Sequence, residues 1–407
     1  GGSHSTSHYN TALGYRAGFD YGAGGSSEHN VFVGHMAGEY NRFGDRGTFV
    51  GSQAGRFSTV GVDQTFIGAY AGIYATGSYN VFVGANAGKG GTTSAPYSSG
   101  QNNTAVGYQA LTAFTTGTAN TVMGYDAGKE ITTGGNNVFI GYQAGESSTD
   151  TSNTISIGQG AGRDGDLGDY TTIMGVYAGL NSTGASNVLV GYKAGFAIGS
   201  TTHTVLIGAE AAAASLTTDA NGTVAIGNQA LKVLTSGIGN TAIGYQTLVA
   251  EDDGDYNTAV GYQALTAQTG NSGEVGNTAV GYQAGKAITT GIRNTIVGYK
   301  AAHVMTTPSD MTIIGEEAAI TQVGGTAGRG THIGARAGFR QNLASGVDGN
   351  ISIGYTANFS NITGGGNVSI GYAAGYGVAN HSPSNNINIG YGASKDISVG
   401  YQNVAIG

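Results

Sequence analysis

A short pattern with a glycine in a fixed place recurs along the chain and constrains its fold more than any other feature. The stretch NNTAVGYQAL (102–111) returns almost intact as YNTAVGYQAL (256–265) and GNTAVGYQAG (276–285). Aligning on the Gly of this motif gives 24 copies, and 12 of the 23 spacings equal the one between Gly107 and Gly124. This period of about 17 residues predicts a solenoid, in which each copy forms one coil that stacks on its neighbours.

The residues before the motif Gly have a period of two, which indicates a strand rather than a helix. The residue one before the Gly is Val, Ile, Leu or Met in all copies, and the residue three before it is Thr, Val or Ile. These two positions share one face of a strand, and we expect that face to point inward. The residue between them is then expected to point outward. It is Phe in four successive copies (Phe32, Phe49, Phe66 and Phe82) and often Ala or Ser later in the chain.

Other recurring residues predict the rest of each coil. An Asn four residues before the motif Gly, as at Asn103 and Asn120, suits a junction of turn and strand, and stacked copies can form a ladder of amides. Occasional apolar residues seven after the Gly, such as Phe114, indicate a weaker second strand. The predicted fold is an all-β, parallel β-solenoid (β-roll) of about 24 coils, forming one continuous domain over 1–407. At about 4.8 Å per coil, it would extend for roughly 115 Å.

Composition excludes several classes of protein. Gly is abundant at 76 residues but Pro is only 3, and the Gly lacks the period of three that collagen needs. The net charge of −8, with 16 scattered basic residues, argues against a nucleic-acid partner. The chain has no Cys for disulfides or thiolate metal sites. No apolar run reaches the ~20 residues of a membrane span, so we expect no membrane insertion within this segment.

The predicted orientation of the strands has a consequence for assembly. If the Phe and Ala row faced outward, it would form an apolar stripe larger than a monomer normally exposes. Chains lying side by side around an axis would cover it, and a homotrimer is the expected arrangement. The start at GGSHSTSH and the end at QNVAIG indicate a fragment of a longer fibre chain.

The motifs NTAVGYQA and NVAIG resemble the head repeats of trimeric autotransporter adhesins, and they are closer still to the repeats of bacteriophage tail fibres. The resemblance extends over essentially the whole chain, although the period is longer than that of the adhesin heads. It implies a homotrimeric, structural fibre protein, extracellular or on the virion surface, that attaches to a host through a cell-surface glycan or protein receptor. The choice between phage fibre and bacterial adhesin stays open.

Two acidic loops are the candidate metal sites. GRDGDLGDY (162–170) carries Asp164, Asp166 and Asp169, and AEDDGDY (250–256) carries Asp252, Asp253 and Asp255. Carboxylates at such spacing suit Ca²⁺, but neither loop has the spacing of an EF-hand. We therefore interpret both as solvated turns, and predict no catalytic, cofactor-binding or metal-binding residues and no cofactor.

Histidine and tyrosine give further candidates. His4 and His8 lie in the opening segment, and His332 occupies the middle, outward-predicted position of its motif, where copies could meet around an ion. Tyr follows the motif Gly in many copies, which suits either packing over the turn or an aromatic stripe that binds glycans. We expect recognition to lie in the variable loops between motifs. These loops are 85–103, 159–171, 211–223, 265–277 and 339–349.

The predicted function is therefore non-enzymatic: a stiff rod that attaches through many weak contacts. Two alternatives remain, a fibre-borne enzyme that degrades glycans and a subunit of a self-assembling extracellular filament. A transferase of the hexapeptide-repeat type is a weaker possibility, because its fold needs three aliphatic motifs per coil and this chain has one.

Overall fold

The computed structural model describes residues 8–20, 27–92, 94–95, 97–269, 273–320, 329–340, 349–377, 383–396 and 400–407. The chain forms two compact units, 1–202 and 203–407. Each unit is a stack of short parallel strands joined by turns, and the described residues contain one 3₁₀ turn (Thr218–Ala220) and no α-helix. The strands of the first unit are β1 (Thr11–Leu13), β2 (Val31–Val33), β3 (Thr48–Val50), β4 (Thr65–Ile67), β5 (Val81–Val83), β6 (Thr104–Val106), β7 (Thr121–Met123), β8 (Val138–Ile140), β9 (Ile155–Ile157), β10 (Thr172–Met174) and β11 (Val188–Val190). Those of the second unit are β12 (Val205–Ile207), β13 (Val224–Ile226), β14 (Thr241–Ile243), β15 (Gly254–Asp255), β16 (Thr258–Val260), β17 (Gly273–Glu274), β18 (Thr278–Val280), β19 (Thr295–Val297), β20 (Thr312–Ile314), β21 (Thr331–Ile333), β22 (Ile351–Ile353), β23 (Val368–Ile370), β24 (Ile387–Ile389) and β25 (Val404–Ile406).

Successive motif strands pair in parallel at one fixed register within each unit. Thr104 lies beside Thr121, and Ala105 beside Val122. The same register holds between β5 and β6, although the coil that joins them is longer than the one between β6 and β7. The short strands β15 and β17 form a separate two-stranded sheet. The predicted all-β, parallel β-solenoid is thus confirmed, with a repeat of about 17 residues.

The number of coils is slightly lower than predicted. The motif strands of the described residues are 11 in the first unit and 12 in the second. The strands β24 and β25 pair directly, with Ile387 beside Val404, and are therefore consecutive rungs. The three residues before Gly400 lie outside the described residues.

The prediction of which side chains face inward is wrong. In every motif strand except the terminal ones, β1 and β25, the middle residue is the buried one. In β4, for example, Phe66 is fully buried while Thr65 and Ile67 are partly exposed. Each coil has only one three-residue motif strand, so a single side chain of that strand can enter its narrow interior. The strictly aliphatic and β-branched positions instead line the outer face of the sheet.

In many coils, the residues at two positions are matched in size and together fill the interior. In the coils of β2 to β5, the buried Phe is matched by a Gly four residues after the motif Gly. A Cβ on Gly72 would lie only 2.5 Å from the ring of Phe66. In several coils whose middle residue is Ala, a buried Leu occupies the position of that Gly, as Leu111 does in the coil of Ala105. The two arrangements keep the interior filled, as close packing requires.

The predicted second strand is absent from the described coils, apart from the short β15–β17 pair and isolated bridges. The side of the coil opposite the strand consists of turns whose N–H groups still bond to the next coil, as Thr115 does to the carbonyl of Thr132 at 2.8 Å. The apolar residues predicted for that strand do point inward. Phe114, Ile131, Ile198, Leu234 and Ile288 are fully buried.

The motif Gly cannot be replaced because of two features of its position. Gly107 has φ +138°, which is open only to glycine, and a Cβ on it would lie 2.3 Å from the carbonyl oxygen of Gly124 in the next coil. The backbone there is so close to its neighbour that no side chain fits. This requirement repeats from rung to rung and explains the strict position of the motif Gly.

The predicted amide ladder is confirmed. Asn103, Asn120 and Asn137 are buried, and each donates a backbone N–H to the side-chain oxygen of the Asn before it or, for Asn103, to that of Asn80. Where the Asn is replaced by Thr, as at Thr154, the hydroxyl bonds to backbone carbonyls instead. The ladder satisfies polar groups at the edge of an otherwise apolar interior.

Candidate functional site

The largest candidate surface is the outer face of the motif strands. It consists of the first and third residues of each strand, and no Lys, Arg, Asp or Glu occupies either row in the described strands. Ile67, Met123, Met174, Ile243 and Val280 are each between 37% and 46% exposed. A flat, uncharged face of this kind is unusual for the surface of a monomer.

The Tyr residues after the motif Gly form stacked ladders. Tyr108, Tyr125 and Tyr142 lie 5.2 and 5.3 Å apart between ring centroids, with nearly parallel rings. A longer run joins Tyr245, Tyr262, Tyr282 and Tyr299 in the second unit. The rings are 41% to 50% exposed. Because each ring faces its neighbours, the ladder presents ring edges and hydroxyl groups to solvent rather than free faces on which a sugar could stack.

The residues of the first acidic loop do not converge on one point. Asp164 pairs with Arg163, Asp166 accepts hydrogen bonds from the backbone and hydroxyl of Thr149, and Asp169 accepts one from the backbone of Ser152. The last two carboxylates therefore tie this loop to the preceding coil. They act as connectors between turns, in line with the interpretation as solvated turns.

The second acidic loop brings together a different set from the predicted one. Oxygens of Glu251, Asp252 and Asp253 lie within 4.8 Å of one another, which makes them the one such acidic group among the described residues. Asp255 instead accepts a hydrogen bond from Ile238 in the preceding coil. Glu251 is buried, and burial raises the pKa of its carboxyl. Its Oε1 accepts the N–H groups of Asp252 and Gly254, so it closes the turn.

His332 lies in the interior of the coil and not on the surface, where the sequence predicted it. Its side chain is fully buried between Ile313 and Ser352 of the adjoining rungs, so the prediction of an outward position is wrong. Both ring nitrogens lack a hydrogen-bond partner, and burial lowers its pKa to about 4. His4 lies outside the described residues, and His8 is exposed with its ring 6.1 Å from that of Tyr9.

A buried ion cluster was missed by the sequence reasoning. Glu39 is fully buried and pairs with Arg16 at 2.5 Å and Arg56 at 2.6 Å, which belong to the coils on either side. A single acid between two arginines at positions set by the repeat could have been noticed once the coils were superimposed. The cluster joins three coils and is structural in character.

Of the predicted recognition loops, 85–103 borders an open cavity. Tyr97 lies 5.4 Å from the ring of Phe57 and borders a cavity of about 560 Å³ lined largely by threonines. Residues 93 and 96 of this loop lie outside the described residues, as do 270–272 and 341–348 of two other loops. A role for these loops in recognition stays a prediction.

The described part of the chain has no helix with the length and apolar character of a membrane span. No protein-family model matches the chain, and the search of curated proteins found no match.

Proposed function

We propose that this chain is a structural fibre protein, which forms part of a stiff extracellular rod for attachment to a host or surface, as a phage tail fibre or an adhesin head does. The observation that carries the proposal is the unbroken, charge-free outer face of the parallel strands within each unit. A backbone ladder with interlocking buried side chains resists bending, and identical coils repeat any weak contact many times.

We further propose that three copies assemble with their outer faces turned towards a common axis. With rungs ~4.8 Å apart and strands about 10 Å long, the eleven rungs of the first unit alone expose roughly 500 Å², near the upper limit for a monomer. Association removes the Val, Ile and Thr rows from water. The basis of the trimer is therefore the outer aliphatic face, because the Phe and Ala row on which the sequence argument relied is buried.

Light scattering tests the assembly. We expect a mass of about three times 40.6 kDa for the full chain at micromolar concentration. Val106→Asp places a charge on the outer face and should lower the mass while the circular dichroism spectrum is retained. Thr133→Asp, at an exposed turn position, is the matched control and should leave the mass unchanged. A wild-type chain with the mass of a monomer or dimer would contradict the trimer.

The proposed location has a separate test. Antibodies against the chain should label the outside of intact cells or particles that carry it. Labelling that appears only after lysis would contradict an extracellular fibre. Release of reducing sugars from host polysaccharide by the purified chain would favour the alternative of a glycan-degrading enzyme.

A further inference from the structure

One part of the second unit has an open groove between two aromatic ladders. Tyr355 and Tyr372 form one side, with ring centroids 5.3 Å apart, and Phe359 and Tyr376 form the other, 4.9 Å apart and nearly parallel. The space between them, which we call the aromatic groove, has a volume of about 380 Å³. This volume is in the range of a small-molecule site.

The groove exists because two side chains are short. Two residues after the motif Gly, four successive motif coils of the same unit carry Gln229, Gln246, Gln263 and Gln283, whose amides bond to one another at 2.9 to 3.0 Å. At the same position, the coils of the groove carry Thr356 and Ala373.

The backbone of the groove matches that of the glutamine coils. Thr356 and Ala373 have φ 50° and 51°, against 50° to 57° for the four Gln residues. The groove is therefore formed because two side chains are shorter, while the backbone of the coil is unchanged. A longer side chain at either position can fill the groove without altering the coil.

The charges that line the groove are positive. Arg336 and Lys395 lie on the coils before and after the two central ones, and among the described residues no carboxylate lines the groove. Arg336 pairs with Glu317 at 2.9 Å but keeps 45% of its side chain exposed. In a chain with a net charge of −8, two cations beside an aromatic cleft favour a negatively charged ligand.

We propose that the aromatic groove binds a short segment of an acidic oligosaccharide. The edges of the stacked aromatic rings contact the C–H groups of the sugars, the phenol hydroxyls and Thr356 offer hydrogen bonds, and the two cations at the ends hold carboxylates. An extended β-linked glycan advances per sugar by a distance close to the separation of the rungs, so two or three sugars would span the groove. The inference rests on the proposed attachment function, whose receptor class it specifies.

Isothermal titration of the full chain with a hyaluronan tetrasaccharide, compared with uncharged cellotetraose, tests the proposal. The acidic sugar should bind more tightly. Ala373→Gln, which restores the side chain of the glutamine coils, should weaken binding at least about tenfold because it occupies the groove. Lys395→Gln should weaken binding of the acidic sugar about threefold and leave cellotetraose unaffected. Gln263→Ala is the matched control outside the groove and should change neither affinity.

Equal affinity for the two sugars, unchanged affinity in Ala373→Gln, or no binding of the acidic sugar at millimolar concentration would each overturn the proposal. These outcomes are independent of the tests of the rod. A chain that is monomeric or internal but binds the acidic sugar through the groove would refute the fibre and retain the site. A trimeric surface fibre that binds neither sugar would retain the proposed fibre and refute the site.

Discussion

Asn120 donates both its backbone N–H and its side-chain amide to the side-chain oxygen of Asn103, at 3.0 Å in each case. The same amide also donates to the carbonyl of Gly134 at 2.9 Å, where the coil closes. One buried side chain therefore connects two neighbouring coils and the end of its own. This arrangement repeats along the amide ladder and ties the stacking of coils to the local turn.

We expect Asn120→Ala to destabilise the protein by about 2 to 3 kcal/mol, because it leaves the carbonyl of Gly134 and the N–H of Asn137 without their partner. Asn120→Thr should cost less, since Thr154 fills the same position in another coil. Thermal unfolding and amide exchange at Asn137 measure the effect. Equal stability of the Ala and Thr variants would contradict the role given to the ladder.

The matched sizes of Phe66 and Gly72 predict a compensating pair of substitutions. Phe66→Ala should cost about 3 to 5 kcal/mol because it leaves a cavity in the interior. Adding Gly72→Leu should recover much of this loss, since Ala105 and Leu111 form that combination elsewhere with the same left-handed backbone, φ 57° at Gly72 and 54° at Leu111. Gly72→Leu alone should be destabilising, because its side chain meets the Phe66 ring. A double-mutant cycle by thermal unfolding that gave additive effects would rule this pairing out.

This pairing shows where the sequence was sufficient and where it was not. Spacing and period alone predict the parallel solenoid, the place of the motif Gly and the amide ladder. The inward face was misjudged because the uniformly aliphatic position of Val106 looked like a core position, whereas the more variable position of Ala105 is the buried one. Variability at a buried position is tolerated here because Leu111 compensates for the small Ala105. That relation becomes visible only when positions on opposite sides of the coil are compared.

Gly107→Ala should be strongly destabilising, by more than about 2 kcal/mol. The added Cβ would lie 2.3 Å from the carbonyl oxygen of Gly124, on a backbone at φ +138°. Gly222→Ala is the control, because Gly222 also has positive φ, at +76°, but nothing lies within 4 Å of a Cβ placed there. Chemical denaturation should show a small effect for the control. Similar losses in the two variants would indicate that backbone strain alone, rather than contact with the next coil, sets the requirement.

His332 predicts a loss of stability in acid. Its pKa is about 4 in the folded chain and 6.5 when unfolded, so the unfolded state binds the proton more readily between these values. Its contribution to stability is complete above pH 6.5 and declines by up to about 3 kcal/mol as the pH falls to 4. Melting temperatures across this range should fall less steeply for His332→Ile, which copies Ile313 of the preceding rung. Parallel pH profiles for the two proteins would exclude this source of acid sensitivity.

The candidate sites were less predictable than the fold. Asp164, Asp166 and Asp169 are close in sequence, but the repeat directs the last two towards the coil before them. The aromatic groove was not anticipated, because its sides come from residues on successive coils and its floor is defined by side chains that are short. A site that depends on short side chains, at positions where other coils carry Gln, is not marked by a motif in any single stretch of sequence.

The fixed register across β5 and β6 has a consequence for the evolution of repeat number and loop length in such a chain. β5 pairs with β6 in the same register as β6 pairs with β7, although the coil from Gly84 to Gly107 is longer than the coil from Gly107 to Gly124. Recombination between copies can therefore add or remove whole coils, or lengthen a turn, without disturbing the pairing of those that remain. Within a unit, the number of coils and the shape of the lateral loops can therefore vary independently of one another, because each coil contributes the same type of rung.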